Sequence, residues 1–360
     1  MRTATALPIL VCAFLLGSSV PASAEAPAPR CEQHQPERQV LWGDLHVHTA
    51  VSMDAHMFGT RLRPADAYRF ARGEPVQVLG KTVQIERPLD FAAVTDHAMN
   101  FGSVKLCTTP GSASYDSEAC TLYRSPLQTA GRPLGEIVKD IQKRTGPGLM
   151  EEGVCGEDGA RCQSAAGDVW QETRDAAAAW NDASPSCGFT TFVAYEYTAT
   201  PNLTKIHRNV IFRNATVPEL PISYADEPEA FGLWRELRRQ CLEAGTGCDV
   251  LAIPHNSNLS NGNLFALEYG DAKTPEQQAE VARLRARMEP IVEMMQMKGD
   301  SECRNGMWDV LGATDELCGF EKMRAPETPD CKDGKGEGAL SNAGCSTRRD
   351  FARYALVVGL

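Results

Sequence analysis

No strand-like run in this sequence is followed by a Walker-type glycine loop, a Gly-x-Gly-x-x-Gly fingerprint or a Gly-x-Ser-x-Gly elbow. P-loop nucleotide hydrolysis, Rossmann cofactor binding and nucleophile-elbow serine chemistry therefore lose their usual sequence basis. There is no Cys-x-x-Cys pair, the short spacing that thiolate zinc sites use. Positive charge is in deficit, with 36 Lys and Arg against 47 Asp and Glu and a formal net charge of −11. That balance argues against nucleic acid as a stable partner, because phosphate backbones are held by basic surface. Beyond the first residues, no stretch approaches the roughly 20 apolar residues of a transmembrane helix.

The sequence begins with Arg2, an apolar run from Ala6 to Leu16, and Pro21-Ala22-Ser23-Ala24-Glu25. This order of charge, apolar core and small residues predicts a signal peptide over residues 1–24 and export to the periplasm or the medium. Residues 25–38, rich in Pro and polar side chains, read as a flexible leader. No Cys stands directly after the cleavage site, where lipid attachment would need one, so no lipid anchor is expected. Of the 13 cysteines, Cys12 leaves with the signal peptide, and the remaining twelve suggest up to six disulfides. The pairs closest in sequence are Cys107 with Cys120, Cys155 with Cys162, Cys241 with Cys248, Cys303 with Cys318, and Cys331 with Cys345.

Residues 39–360 read as one domain in which strand-like runs alternate with helical patterns. Strands are predicted at Val40–Val47, Leu89–Thr95, Phe189–Tyr197, Asn209–Arg213, Asp249–Pro254 and Ile291–Met295. Helices are predicted at Pro64–Arg72, at Ala165–Asp182, after Asp226-Glu227-Pro228-Glu229, and from Thr274-Pro275-Glu276-Gln277 to about Met288, the last opening on a capping box. The alternation implies an α/β fold with a largely parallel sheet, open or closed into a barrel, and a site at the carboxyl ends of its strands. Two segments rich in Gly, Ser and Cys, about 103–163 and 300–346, read as disulfide-stapled loop insertions.

Of seven histidines, five stand at or just past strand-like runs. His46 and His48 are two apart in an extended segment and point to one side, with Asp54 close behind. Val94-Thr95-Asp96-His97 ends an apolar strand in an acid and an imidazole, a costly arrangement without a partner or a metal; Asp96 can ligate or orient an imidazole. Glu196 closes another strand, and His207 follows eleven residues later. An antiparallel turn-back would place the two on one edge. His255 closes a fourth run, followed by Asn256 and Asn258, which suit substrate contact or a turn. Glu293 and Lys298 are further pocket candidates, while His34 and His56 read as leader or surface residues.

In this order, His46-x-His48, Asp54, Thr95-Asp96-His97, Glu196 with His207, and Pro254-His255 resemble the successive metal motifs of the PHP superfamily. Leu41-Trp42-Gly43-Asp44-Leu45-His46-Val47-His48-Thr49, Val193-Ala194-Tyr195-Glu196-Tyr197-Thr198 and Ile253-Pro254-His255-Asn256 are similar to its exported branch, domain of unknown function 3604. The resemblance implies a distorted (β/α) barrel holding two or three divalent ions, Mn, Zn or Fe, that hydrolyse phosphate esters. It implies His46 and His48 on one metal, Glu196 as a bridge, His207 and His255 on a second metal, and Asp54 with His97 on a third. Glu196 and Asp96 are the catalytic candidates, and Asn256 and Lys298 the substrate-binding ones, for a small-molecule ester. The superfamily closes its site with a late Asp-x-His pair. No histidine follows His255 here, so the chain is expected to be a fragment. Hydrolysis of another ester or an amide, or a non-catalytic metal-binding module with a degenerate site, are the alternatives.

Overall fold

The computed structural model of the chain describes residues 31–32, 37–145, 151–270, 272–306 and 316–358. The predicted signal peptide and His34 lie outside them. Three strands, β1 (Gly43–Val47), β4 (Phe91–Val94) and β5 (Thr190–Phe192), form a parallel sheet in the order β1-β4-β5, while β2 (Val76–Val78) and β3 (Lys81–Val83) pair separately as an antiparallel hairpin. Three more, β6 (Ala194–Tyr197), β7 (Arg208–Phe212) and β8 (Val250–Pro254), form an antiparallel sheet in the order β6-β7-β8. A single parallel bridge between His97 and Glu196 joins the two. The main sheets are thus half antiparallel rather than largely parallel, and no closed barrel forms among the described residues.

The predicted strand Phe189–Tyr197 is cut at Val193, where the chain changes partner from β4 on the parallel side to β7 on the antiparallel side. Tyr68, fully buried on α2 (Pro64–Ala71), accommodates the break: its hydroxyl donates to the Phe192 carbonyl at 3.1 Å and accepts from the Val94 amide at 3.3 Å. Both backbone groups are thereby satisfied without a ladder partner.

Alternation along the strands sorts side chains onto two faces. Outward, Tyr195, Tyr197, Val210, Phe212, Val250 and Ala252 pack into the main core. That core is completed by Val169 and Trp170 of α6 (Ala160–Trp180), Leu233 and Trp234 of α7 (Ala230–Leu237), and Leu284 and Met288 of α8 (Pro275–Met288). Inward, Ala93, Ala194, Ile211 and Ile253, with Leu45, Phe192 and Leu251, form a small apolar floor. The capping box of α8 is made as the sequence predicts, with the Thr274 hydroxyl accepting from the Gln277 amide at 3.3 Å.

Ile291–Met295 is not a strand. Only Met295–Gln296 (β9) pairs, with Gly299–Asp300 (β10), in a short hairpin whose tip carries Lys298. The insertion at 103–163 is more than surface loop: Val104 of α3 (Phe101–Thr108) and Ala119 and Tyr123 of α4 (Glu118–Arg124) build a second apolar cluster with Val154 against Met57 of α1 (Met53–Met57), and Ile141 of α5 (Leu134–Thr145) packs on it. A methyl group at Gly102 would run into the Cys162 carbonyl, so a glycine is what lets α3 and α6 approach. The second insertion is built of turns and short 3-10 segments among its described residues.

Six disulfides are formed. Five are the short-range pairs predicted, and the sixth joins Cys31 to Cys187 across 156 residues. Within the segment expected as a leader it fixes Cys31, beside the Glu32 amide, which donates to the Pro185 carbonyl at 2.8 Å. Six disulfides fit an oxidising, extracytoplasmic compartment, and among the described residues no helix is long and apolar enough to cross a membrane.

Candidate metal centre

Directly above the apolar floor the same inward faces turn polar. Glu196 follows Ala194 by two residues on β6, His255 follows Ile253 at the end of β8, and His207 precedes Asn209 and Ile211 at the start of β7. Because β6 and β7 run antiparallel, with Tyr197 opposite Arg208, the end of one meets the start of the other. β1 needs an extra device, since strict alternation from Leu45 on the floor would send His46 to the far side. Asp44 pairs with Ala92 and Val47 with Val94, so Leu45 and His46 together oppose Ala93. This bulge re-aims the strand and brings both His46 and His48 inward.

Glu196 is fully buried and lies among five imidazoles. Its Oε1 is 2.5 Å from His207 Nδ1, 3.1 Å from His97 Nδ1 and 3.5 Å from His255 Nε2. Its Oε2 is 2.9 Å from His48 Nε2 and 3.3 Å from His46 Nε2. Asp54, at the start of α1, stands 3.1 Å from His48 Nδ1 and 3.1 Å from His97 Nε2. Burial alone would raise the Glu196 pKa, yet His97, His255 and His207 hold the carboxyl well below the usual range. Asp54 is likewise held low against burial by His97 and His48. Burial pushes His207 down to about 3, with Lys205 adding to the shift, and burial and His46 hold His255 well below the ordinary histidine range. Both are neutral imidazoles with lone pairs to give, the form in which histidine binds metals.

Three trios of donor atoms lie close enough to hold an ion: His46, Glu196 and His255; His48, Asp54 and His97; and His97, Glu196 and His207. The seven expected ligands are therefore gathered, but they sort differently from what the resemblance implies: His46 and His48 belong to different trios, and His207 and His255 likewise. The donor set suits a cation. Neither ring nitrogen of His255 has a hydrogen-bond partner although the residue is fully buried, and His207 Nδ1 makes no well-aligned hydrogen bond despite its short approach to Glu196. Buried polar nitrogens left unpaired are uncommon and point to a missing ligand.

Around the trios, other groups orient the rings. Glu293 Oε2 is 2.6 Å from His46 Nδ1, and the Glu293 amide donates to the Pro254 carbonyl at 3.1 Å, which hangs this residue on the end of β8. Thr198 Oγ1 lies 2.5 Å from His97 Nδ1 and Thr200 Oγ1 2.7 Å from His207 Nε2. Asp96 lies outside the trios. Its two oxygens accept from the Thr49 amide at 2.5 Å and the Thr49 hydroxyl at 2.8 Å. It shapes the turn after His48 rather than gripping an imidazole, and burial raises its pKa to about 6. His56 is stacked on Tyr123, with ring centroids 5.4 Å apart, outside all three trios.

One residue at the rim escaped sequence reasoning. Lys205 is 4% exposed, and its Nζ donates to Asn256 Oδ1 at 2.8 Å. Burial and the neighbouring Lys298 push it down to about 7. The signal was present, since Lys205-Ile206-His207 repeats the two-residue spacing of His46-Val47-His48. Asn256, left-handed at φ 53°, joins Lys205 to the hairpin by also accepting from Gln296 Nε2 at 2.8 Å. Lys298 and Asn256 thus both stand beside the cluster.

Neither the curated proteins nor the solved structures contain a match to the chain. Residues 35–360 match the profile of the family described as Protein of unknown function (DUF3604), and the chain belongs to that family.

Proposed function

We propose that the chain is an exported metal-dependent hydrolase, a phosphoesterase on a PHP-like scaffold. His46, His48, Asp54, His97, Glu196, His207 and His255 hold two or three divalent ions, Mn, Zn or Fe. The observation that carries this reading is Glu196, a fully buried carboxylate whose two oxygens face separate groups of imidazoles. A carboxylate so placed would serve, with the imidazoles on either side, to hold cations at the cluster. Clustered cations supply a nucleophilic water at neutral pH, orient an ester and offset charge on the departing oxygen. The chain's own part is to fix the ligand geometry: β4, β6 and β8 deliver their ligands from strand ends, the bulge in β1 turns two imidazoles inward, and Asp96 holds the turn after His48.

Elemental analysis of the purified chain, beside a His46→Ala/His48→Ala variant, tests the reading. Two or three equivalents of metal that fall in the variant are expected. So is phosphoester turnover that disappears in His97→Ala and Glu196→Ala while the disulfides remain. No uptake of metal after reconstitution, or turnover undiminished in these variants, would overturn it.

A further inference from the structure

The rim of the metal centre carries two lysines, Lys205 and Lys298, and although Glu196 and Asp54 act on Lys205 from further off, no carboxylate among the described residues forms an ion pair with either. The two side chains stand against each other. Lys205 is nearly inaccessible to water, so protonating it beside a like charge is costly unless an anion completes the site. The third group is Asn256. Its Oδ1 is taken by Lys205 Nζ and Gln296 Nε2, which sets the amide's orientation. Its Nδ2, buried in a residue 1% exposed, has no partner. Donors are therefore left over at one place, the Asn256 Nδ2 entirely and the lysines beyond the single bond from Lys205 to Asn256, and Lys205 there acts electrostatically on Glu196, His207 and His255.

The hairpin that brings Lys298 here is fastened on purpose-built contacts. Asn258 Nδ2 donates to the Lys298 carbonyl at 3.0 Å, and the Lys298 amide donates to Gln296 Oε1 at 2.9 Å. A left-handed Gly299, with φ of 89°, follows. The Lys298 backbone is thereby fastened to the loop after β8, while Met297 beside it at the tip faces solvent.

We propose that Lys205, Lys298 and Asn256 form an anion subsite that receives the free oxygens of a phosphomonoester, so that the substrate is a dianionic monoester rather than a diester. This rests on the hydrolase reading for its catalytic meaning. With the anion bound, two protonated lysines complement a doubly charged terminal group, and a diester, with one charge and a second ester arm, leaves part of that charge uncompensated.

The test uses the metal-reconstituted chain and calorimetric titration with inorganic phosphate, methyl phosphate and dimethyl phosphate, with metal content measured on every sample. The wild-type chain is expected to bind phosphate and methyl phosphate in preference to dimethyl phosphate. Lys205→Gln and Lys298→Gln should each weaken phosphate binding by roughly tenfold or more, the scale of a charged hydrogen bond, and flatten that preference at unchanged metal content. Lys298→Arg, which keeps the charge at the hairpin tip, should retain most of the affinity. Unweakened phosphate binding in the Gln variants, or loss of metal from them, overturns the subsite, as does a metal-loaded wild-type chain that binds no phosphate. Absent metal uptake with phosphate still bound and still weakened by the substitutions would remove the hydrolase reading and leave the subsite standing.

Discussion

Replacing Glu293 with Gln changes one atom 2.6 Å from an imidazole nitrogen and should lower metal affinity without removing a ligand. His46 Nδ1 donates to the Glu293 carboxylate, which leaves Nε2 as the lone pair directed toward Glu196 and the first trio. A hydrogen bond to a charged partner contributes about 1.5–3 kcal/mol and a neutral one about 0.5–1.5, so the substitution forfeits about 1–1.5 kcal/mol of ring orientation and basicity. That corresponds to about tenfold in the binding constant, the lower end of the roughly 10–100-fold found for groups that orient metal-bound histidines. The lower end is appropriate because the Glu293 side chain is 19% exposed and water can replace part of the bond. Competition against a chromophoric chelator measures the affinity, and elemental analysis at saturating metal measures stoichiometry. Glu293→Gln should weaken the first and preserve the second, whereas His46→Ala reduces both. Unchanged affinity in Glu293→Gln would refute the argument that this carboxylate sets the tautomer and basicity of His46.

Burial lowers the His97 pKa, but Glu196 and Asp54 more than offset it and raise it to about 9 in the metal-free chain. His97 therefore carries a proton at neutral pH that a bound cation must displace, so metal affinity rises with pH up to about 9 and uptake releases protons. Titrations in buffers of different ionisation heat should show that release, and buffer-independent enthalpies would count against it. The disulfide between Cys31 and Cys187 closes the longest loop of the six, 156 residues. Removing it with a Cys31→Ser/Cys187→Ser double variant should cost about 2–5 kcal/mol, read as a lowered melting temperature with metal stoichiometry unchanged; an unshifted melting curve would show that this closure contributes nothing.

Much of the site was legible because metal ligands in an α/β fold gather at strand ends, and a strand end is marked locally by an apolar run stopping at a polar residue. Ala93-Val94 before Asp96-His97, Ala194 before Glu196 and Ile253-Pro254 before His255 all carry that mark. The helix capped at Thr274 and the five short-range disulfides were legible for the same reason, their partners being close in the chain. Asp96 shows the limit of the rule: it sits where a ligand would, but the neighbouring turn takes both its oxygens through Thr49.

The sequence by itself determined which side chains stand at the carboxyl ends of β4, β6 and β8, since period-two alternation depends only on neighbours along the strand. Tertiary structure decided what those side chains meet. The bulge opposite Ala93 turns His46 and His48 inward, and the change of partners at Val193 makes half of the main sheets antiparallel. The assignment of adjacent histidines to different trios, Glu293 reaching His46, and Lys205 meeting Lys298 depend on residues far apart in the chain. Their energies arise from distances between separate strands and loops, which no local pattern encodes.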